Sequence, residues 1–185
     1  MSVISGTGRG RRLKELPGMD TRPTTDKVKE SLFNIIQFDI EGRRVLDLFG
    51  GTGQLGIEAL SRGAAWCTFV DTNRQAATVI RENLKMVGFS DLASVHQGDA
   101  AVFLAGCREK FDLIFLDPPY QSQLLERCLQ EITKFDILSE HGIMICESAV
   151  EKQLPELEQP YKKGREYHYG KIKLTVYHRQ ESGDL

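Results

Sequence analysis

The chain has 185 residues, of which 41% are hydrophobic and 27% are charged, a composition typical of one globular domain and not of a repeat array or a coiled coil. It contains no apolar run near the roughly 20 residues that cross a bilayer, and its N-terminus is polar where a signal peptide is apolar, so we expect a cytoplasmic protein. Four widely spaced cysteines favour free thiols over a disulfide or a metal site. The formal net charge of −2 by itself argues against general affinity for nucleic acid.

Seven segments have the apolar or alternating pattern of β-strands. The first five are short and apolar and are separated by helical segments. The last two alternate in hydrophobicity around Gly170, which predicts an antiparallel pair. In chain order the predicted strands are 44–49, 66–70, 92–97, 111–116, 142–147, 161–169 and 172–178.

Helical segments precede and connect the first five strands. Thr24 or Thr25 can cap the first helix, while Asn73 can cap the longest one and Gly88 can close it. The first predicted helix begins near residue 26, and the second ends at residue 61. The other three lie over 73–87, 100–105 and 124–135.

Strands that alternate with helices at this spacing predict an α/β fold. We expect a doubly wound, mostly parallel sheet of seven strands with an antiparallel edge and helices on both faces. Residues 24–180 are assigned to this one domain, residues 1–23 to a basic N-terminal arm and residues 181–185 to a tail. No second folded domain is predicted.

The basic charge is concentrated in the arm. Its first 14 residues contain no acidic residue and four basic ones: Arg9, Arg11, Arg12 and Lys14. The rest of the chain has 20 basic against 26 acidic residues. Gly6, Gly8 and Gly10 would leave the backbone free to follow a polyanion while the arginines contact its phosphates. A disordered tail that only adds solubility is the alternative.

A glycine-rich turn follows the first predicted strand. Gly51, Gly53 and Gly56 form the pattern G-x-G-x-x-G between a strand and a helix, and Asp71 ends the next strand. This arrangement is typical of a dinucleotide or nucleoside site in which the acidic side chain accepts from the ribose hydroxyls. An NAD-dependent dehydrogenase is one hypothesis for such a site.

Two further acidic strand ends favour a different ligand. Asp47 lies near the end of the first strand, where a carboxylate suits an ammonium group and not a pyrophosphate. Asp99 ends the third strand, where it can accept from an adenine amino group. An amine, a ribose and an adenine occur together in S-adenosylmethionine. Each carboxylate also has a structural alternative: a turn at Asp47, and a helix cap at Asp71 and at Asp99.

The fourth predicted strand ends in Asp117, Pro118, Pro119 and Tyr120. Proline has no N–H and a fixed φ, so this tetrad presents carbonyl oxygens rigidly beside a carboxylate. The Asp117 carboxylate and the Pro118 carbonyl can accept the two hydrogens of a planar amine that stacks on Tyr120. Such contacts draw the nitrogen lone pair out of conjugation and make the nitrogen a better nucleophile. A strand closed by a Pro-Pro turn with a solvated Asp is the alternative.

These segments resemble a known family. Three of them are similar to class I methyltransferase motifs: LDLFGGTGQLGIEALSRGA at 46–64, GDA at 98–100 and LDPPY at 116–120. RGRR at 9–12 and TRPTTDKVKESLFN at 21–34 resemble the RsmD family of bacterial 16S rRNA guanine-N2 methyltransferases, and the similarity spans residues 3–177. DPPY is shared with adenine-N6, cytosine-N4 and protein-glutamine methyltransferases, so it indicates an amino or amide nitrogen and not guanine in particular. The family often has Phe where this chain has Tyr120.

The resemblance implies a role for each matching residue. Asp117, Pro118, Pro119 and Tyr120 would hold the target guanine after it is flipped out of the RNA. Six residues would face the RNA: Arg9, Arg11, Arg12, Lys14, Arg22 and Thr24. Eight residues would bind S-adenosylmethionine: Asp47, Phe49, Gly51, Gly53, Asp71, Gly98, Asp99 and Ala100. No metal is implied.

The resulting hypothesis is transfer of a methyl group from S-adenosylmethionine to the exocyclic N2 of a guanine in 16S rRNA, with guanine 966 as the family's target. The expected partner is 16S rRNA within a small-subunit assembly particle, with no membrane involved, and we expect a monomer. There are two alternatives. One is a DNA adenine-N6 methyltransferase, although this chain has no spare length for the target-recognition region of such an enzyme. The other is a noncatalytic RNA-binding assembly module.

Overall fold

A computed structural model describes residues 1–18, 25–119 and 122–180. These residues contain one seven-stranded sheet, whose strands are numbered in chain order: β1 (Arg44–Asp47), β2 (Trp66–Asp71), β3 (Ala93–Gln97), β4 (Phe111–Leu116), β5 (Leu138–Ala149), β6 (Tyr161–Tyr169) and β7 (Ile172–Arg179). The strands lie side by side in the order β3-β2-β1-β4-β5-β7-β6. The first strand is therefore near the middle of the sheet, where the order reverses.

The strand directions confirm the predicted fold class. Strands β1 to β5 are parallel, and β7 runs antiparallel to both of its neighbours, β5 and β6. Strand β5 is longer than the predicted 142–147. It begins at Leu138 because that residue already pairs with Phe111, before the register between β4 and β5 shifts.

Within the described ranges, five α-helices cover the sheet: α1 (Asp26–Ile35), α2 (Gln54–Ser61), α3 (Arg74–Val87), α4 (Ala100–Gly106) and α5 (Leu124–Phe135). Their ends follow the predicted capping residues. The Thr25 side chain accepts from the Val28 N–H at 3.3 Å, and the Asn73 side chain accepts from the Gln75 N–H at 2.8 Å. Gly88 closes α3 in the left-handed conformation, with φ of 83°, which costs glycine little.

Two hydrophobic cores lie on opposite faces of the sheet, because neighbouring strand residues point to opposite sides. One core contains Val45 and Phe115 with helices α1, α2 and α3. The other contains Leu46 and Leu116 with α4 and α5. Helices on both faces make the sheet doubly wound, as predicted.

The N-terminal segment is folded and forms a hairpin, which we call the N-terminal hairpin (residues 1–14). Ser2 and Arg12 form an antiparallel bridge, and the Val3 N–H donates to the Arg11 carbonyl at 2.9 Å. The side chains of Val3 and Leu13 are buried in the core that holds α1 and α2. The alternative of a disordered tail is therefore wrong for these residues.

The N-terminal hairpin is fixed to helix α2. The Glu58 carboxylate accepts from the backbone N–H groups of Ile4 at 2.8 Å and Ser5 at 3.0 Å, and the Ser61 hydroxyl accepts from the Gly8 N–H at 2.8 Å. A Cβ on Gly6 would lie 1.8 Å from the Ser61 carbonyl oxygen. The prediction that Gly6 and Gly8 leave the backbone free is thus wrong, because both glycines permit close contact with α2.

Among the described residues, no helix is both long and apolar enough to cross a membrane. Within the same ranges, no three His, Cys, Asp or Glu side chains come together as a metal ion would require. All four cysteines are free thiols, as predicted, and those at positions 67, 128 and 146 are buried.

Candidate active site

Four aspartates lie at the carboxyl ends of four neighbouring strands. Asp47 and Asp71 end β1 and β2, and Asp99 and Asp117 follow β3 and β4. These strands are parallel and adjacent, so the four residues share one edge of the sheet. We call this edge the ligand edge, since α/β sheets bind ligands at the carboxyl ends of their strands where the strand order reverses.

Asp47 is a buried carboxyl group at the centre of this edge, with 2% of its surface exposed. Its Oδ2 accepts from the Gly56 N–H at 3.2 Å. Burial raises the pKa of Asp47 to about 7, and the negative charge of Asp71 adds to the rise. A cation placed beside Asp47 would favour its ionised form, so this side chain suits an ammonium group better than a phosphate.

Asp71 joins the glycine-rich turn to the start of α3. Its Oδ2 accepts from the Gly51 N–H at 2.9 Å, and its Oδ1 accepts from the Asn73 N–H at 2.8 Å. The cap of α3 is Asn73, so the helix-cap alternative for Asp71 is wrong, and its carboxylate holds the turn before that helix. Each carboxylate oxygen has a second lone pair, so the same contacts also hold Asp71 in place as an acceptor for a ligand.

The glycine-rich turn has the backbone that its sequence predicts. Gly53 has φ of 84° and precedes the first residue of α2, a conformation that glycine adopts without a steric penalty. A Cβ on Gly56 would lie 2.3 Å from the Phe69 ring, so this glycine lets α2 pack closely on β2. The turn thus follows the pattern of a nucleoside-binding loop.

Asp99 caps helix α4. Its Oδ1 accepts from the Val102 N–H at 2.9 Å, and the preceding Gly98 N–H donates to the Asp71 carbonyl at 2.9 Å. The capping alternative is therefore confirmed for one oxygen. Binding of adenine by Asp99 and Ala100 stays a prediction.

Asp117 and Pro118 are half-buried at the end of β4, and Pro119 is exposed. The Ser122 hydroxyl donates to the Pro119 carbonyl at 2.9 Å, and Lys152 donates to the Ser122 carbonyl at 3.0 Å. These contacts hold the chain after the two prolines. Three residues predicted to belong to the site lie outside the described residues: Tyr120, Arg22 and Thr24.

The chain is similar in sequence and in structure to known proteins. The chain is 44% identical over 183 residues to Bacillus subtilis YlbH, which is provisionally described as an rRNA methyltransferase. The match covers 97% of this chain and 100% of that protein. It is 34% identical over 182 residues to Ribosomal RNA small subunit methyltransferase D of Escherichia coli, covering 98% of this chain and 91% of that protein. The solved structure of yhhF from Escherichia coli, provisionally described as a methyltransferase, superposes with a TM-score of 0.88 at 34% identity and covers 97% and 98% of the two chains.

The family model described as Conserved hypothetical protein 95 matches residues 1–178. The chain belongs to this family. It is the RsmD family, and the fold is that of class I S-adenosylmethionine-dependent methyltransferases. The resemblance drawn from the sequence motifs is confirmed.

The RsmD-like chain also contains a buried ion pair that sequence reasoning missed. Lys29 of α1 and Glu58 of α2 are fully buried, with Nζ and Oε1 3.1 Å apart. Lys29 also donates to the Ser2 carbonyl at 3.1 Å, so the pair links both helices to the N-terminal hairpin. The available signal was the position of Lys29 on the apolar face of α1, between Val28 and Leu32.

The second feature that the sequence did not predict is the buried Asn83 of α3. It is fully buried, and its side-chain nitrogen donates to the Thr52 carbonyl of the glycine-rich turn at 2.8 Å. Its oxygen accepts from the Lys14 N–H at 2.7 Å. A single Asn in an amphipathic helix gives no sequence signal for such a bridge.

Proposed function

We propose that this protein transfers the methyl group of S-adenosylmethionine to the exocyclic N2 of a guanine in 16S rRNA, with guanine 966 as the expected nucleotide. The observation that carries the proposal is the position of Asp117 and Pro118 directly after β4, on the strand next to buried Asp47. An amine-accepting pair and a cation-accepting carboxyl group thereby share the ligand edge. The rRNA methyltransferase names of the relatives support the reaction and the class of substrate.

The residues of the ligand edge fit S-adenosylmethionine. Asp47 would hold the ammonium group, Asp71 the ribose hydroxyls, and Asp99 with Ala100 the adenine. Phe49, Gly51, Gly53 and Gly98 form the turns that let the ligand approach the backbone closely. When bound, the cofactor supplies an electrophilic methyl group.

The chain's own residues then orient and activate the amine. The Asp117 carboxylate and the Pro118 carbonyl accept the two N2 hydrogens, which directs the nitrogen lone pair away from the purine ring. Tyr120 supplies a stacking face for the guanine. The amine loses a proton readily once it has been methylated, so Asp117 or solvent can take that proton and a strong general base is unnecessary.

The exposed arginines of the N-terminal hairpin are the proposed first contact with RNA phosphates. Arg9, Arg11 and Arg12 are exposed and form no ion pair with any described residue. The Gly6–Gly10 turn rests on Ser61, the last residue of α2. Ser61 lies about 10.5 Å along the helix from the first residue of α2, at a rise of roughly 1.5 Å per residue. We therefore infer that these arginines bind RNA backbone away from the flipped base.

The decisive test compares Asp117→Ala with a control, Asp91→Ala, at an exposed position just before the amino end of β3, opposite the ligand edge. Each variant and the unchanged protein are assayed with S-adenosylmethionine on bare 16S rRNA, assembled small subunits and DNA, and the modified nucleotide is mapped. We expect Asp117→Ala to abolish transfer while calorimetry shows cofactor binding largely intact, and the control to retain activity.

Three outcomes would overturn the proposal. Full activity of Asp117→Ala would show that the tetrad takes no part in methyl transfer. Transfer to DNA adenine and not to rRNA favours the DNA methyltransferase, and absence of cofactor binding in the unchanged protein favours a noncatalytic RNA-binding module.

A further inference from the structure

A second concentration of basic charge lies in the hairpin of β6 and β7. Residues 161–180 contain one acidic residue, Glu166, and six basic ones: Lys162, Lys163, Arg165, Lys171, Lys173 and Arg179. Outside the N-terminal hairpin and this segment, the chain has 14 of its 24 basic residues and 25 of its 26 acidic residues. The protein is thus strongly acidic apart from two basic hairpins.

The single acidic residue of this segment already interacts with three neighbouring basic side chains. The Glu166 carboxylate lies within 3.5 Å of charged or titratable nitrogens of Lys163, Lys173 and His168. Arg165 and Lys171 are exposed, and no ion pair joins either of them to the described residues. Their charges are therefore open to an external anion.

Aromatic rings lie on β6 between these two charges, with Arg165 in the strand and Lys171 in the turn that follows it. Tyr167 and Tyr169 share a face because alternate residues of a strand do, and Arg165 lies just before them, where β6 shifts its register against β7. The Arg165 guanidinium lies 5.9 Å from the centre of the Tyr167 ring. Both tyrosines are partly buried against the core that holds α1, so their rings are supported from below. We call Arg165, Tyr167, Tyr169 and Lys171 the β6 edge surface.

The β6 edge surface leads to the ligand edge. Ala149, the last residue of β5, pairs with Ile172, the first residue of β7, and the Val150 N–H donates to the Lys171 carbonyl at 2.9 Å. The turn that carries Lys171 thus lies beside the carboxyl end of β5. Strand β5 in turn neighbours β4, which carries Asp117 at the same end.

We propose that the β6 edge surface binds the rRNA strand next to the target nucleotide, and this inference rests on the proposed function. Basic side chains beside aromatic rings are the usual means of holding single-stranded nucleic acid, because phosphates pair with the charges and bases stack on the rings. The N-terminal hairpin packs on α2 and α3, whereas β6 is the strand at the far edge of the sheet. The target base therefore enters between two RNA-binding hairpins.

The test is a charge reversal at the two cations of the β6 edge surface, Arg165→Glu with Lys171→Glu. The matched control, Arg108→Glu with Lys134→Glu, changes the same charge at exposed positions before β4 and in the last turn of α5, at the opposite end of the sheet. Binding of a 16S rRNA fragment is measured by filter binding over a series of salt concentrations, and methyl transfer is measured on the same RNA.

We expect the reversal at the β6 edge surface to weaken RNA binding at least about ten-fold and to lower the slope of log K against log salt by about 1.5, since each single-strand phosphate contact contributes roughly 0.7. KM for RNA should rise, while kcat and the Kd for S-adenosylmethionine stay unchanged. The control should match the unchanged protein. Arg165→Gln with Lys171→Gln repeats the measurement if the reversed variant is insoluble.

An unchanged salt slope in the β6 variants would overturn the inference and assign these charges to protection of an exposed strand edge against pairing with other chains. An equal loss in the control would overturn it too, because net charge alone would then explain the effect. If the unchanged protein binds the RNA but never methylates it, the proposed function fails instead.

Discussion

Asn83 donates a hydrogen bond from its side-chain nitrogen to the carbonyl oxygen of Thr52 at 2.8 Å. The same nitrogen donates to the Lys14 carbonyl at 3.1 Å, and the side-chain oxygen accepts from the Lys14 N–H at 2.7 Å. One buried amide therefore joins the glycine-rich turn of the ligand edge to the end of the N-terminal hairpin. The two segments that we assign to cofactor and RNA are thus both hydrogen-bonded to Asn83.

Replacing Asn83 by Ala should loosen both segments. The change leaves two carbonyls and one N–H without partners, and each unpaired buried group costs about 1–3 kcal/mol. We expect a lower melting temperature, faster tryptic cleavage after the hairpin arginines and weaker S-adenosylmethionine binding by calorimetry. Asn34→Ala, at an exposed position of α1, is the control. Unaltered cofactor affinity in a folded Asn83→Ala protein would show that the turn needs no such support.

Glu58 is the buried attachment point of the N-terminal hairpin. Its carboxylate accepts from Ile4, Ser5, Lys29 and Arg62, and these bonds hold its pKa below the usual value although burial acts in the opposite direction. Glu58→Gln should lower the free energy of unfolding by about 3–5 kcal/mol, because the Lys29 charge stays buried without its partner.

An exposed ion pair provides the comparison for Glu58. Glu82 and Lys14 lie 2.7 Å apart with both side chains about half exposed, and such pairs contribute about 0–1 kcal/mol. Urea denaturation of Glu58→Gln and Glu82→Gln should therefore give very different midpoints. Equal midpoints would mean that water or a rearrangement compensates the buried charge.

Alanine variants at Gly6 and Gly10 distinguish the effect of close packing on stability from the effect of backbone conformation. Their φ angles are 84° and 82°, so alanine costs roughly 1–2 kcal/mol at either position. A Cβ at Gly6 would also overlap the Ser61 carbonyl, whereas a Cβ at Gly10 meets no atom within 4 Å. We expect Gly6→Ala to melt at a clearly lower temperature than Gly10→Ala and to expose the hairpin to trypsin. Identical melting and cleavage would show that the hairpin does not depend on contact with Ser61.

The buried Asp47 predicts an unusual pH dependence of stability. Its pKa is about 7 in the folded protein against 3.8 for the ordinary side chain, so between these values the folded state holds a proton that the unfolded state has lost. The contribution of Asp47 to the free energy of unfolding should therefore fall as pH rises from 4 to 7, by up to about 1.4 kcal/mol per pH unit.

Asp47→Asn should remove that contribution. Urea denaturation of the ligand-free protein at several pH values between 5 and 8 gives the difference between the variant and the unchanged protein, in which the contributions of all other groups cancel. The variant should gain stability relative to the unchanged protein as pH increases. A difference that stays constant over this range would show that Asp47 titrates at its ordinary pKa.

Local sequence patterns predicted the sheet and the ligand edge because their signals lie within a few residues. Asn73 and Gly88 mark the ends of α3, and each of the four aspartates ends or follows a strand. The N-terminal hairpin could not be predicted in this way, since its turn fits against Ser61, more than 50 residues along the chain. The burial of Lys29 has the same cause, because its partner Glu58 lies on another helix.

The long separation between the N-terminal hairpin and its supports bears on how the protein is synthesised. Lys14 bonds to Asn83, which lies 69 residues later in the chain. At about 5–20 residues per second, the ribosome needs roughly 3–14 seconds to add that stretch. During most of this interval α2 and α3 are incomplete, so the N-terminal hairpin obtains its full docking surface only after α3 has left the ribosome.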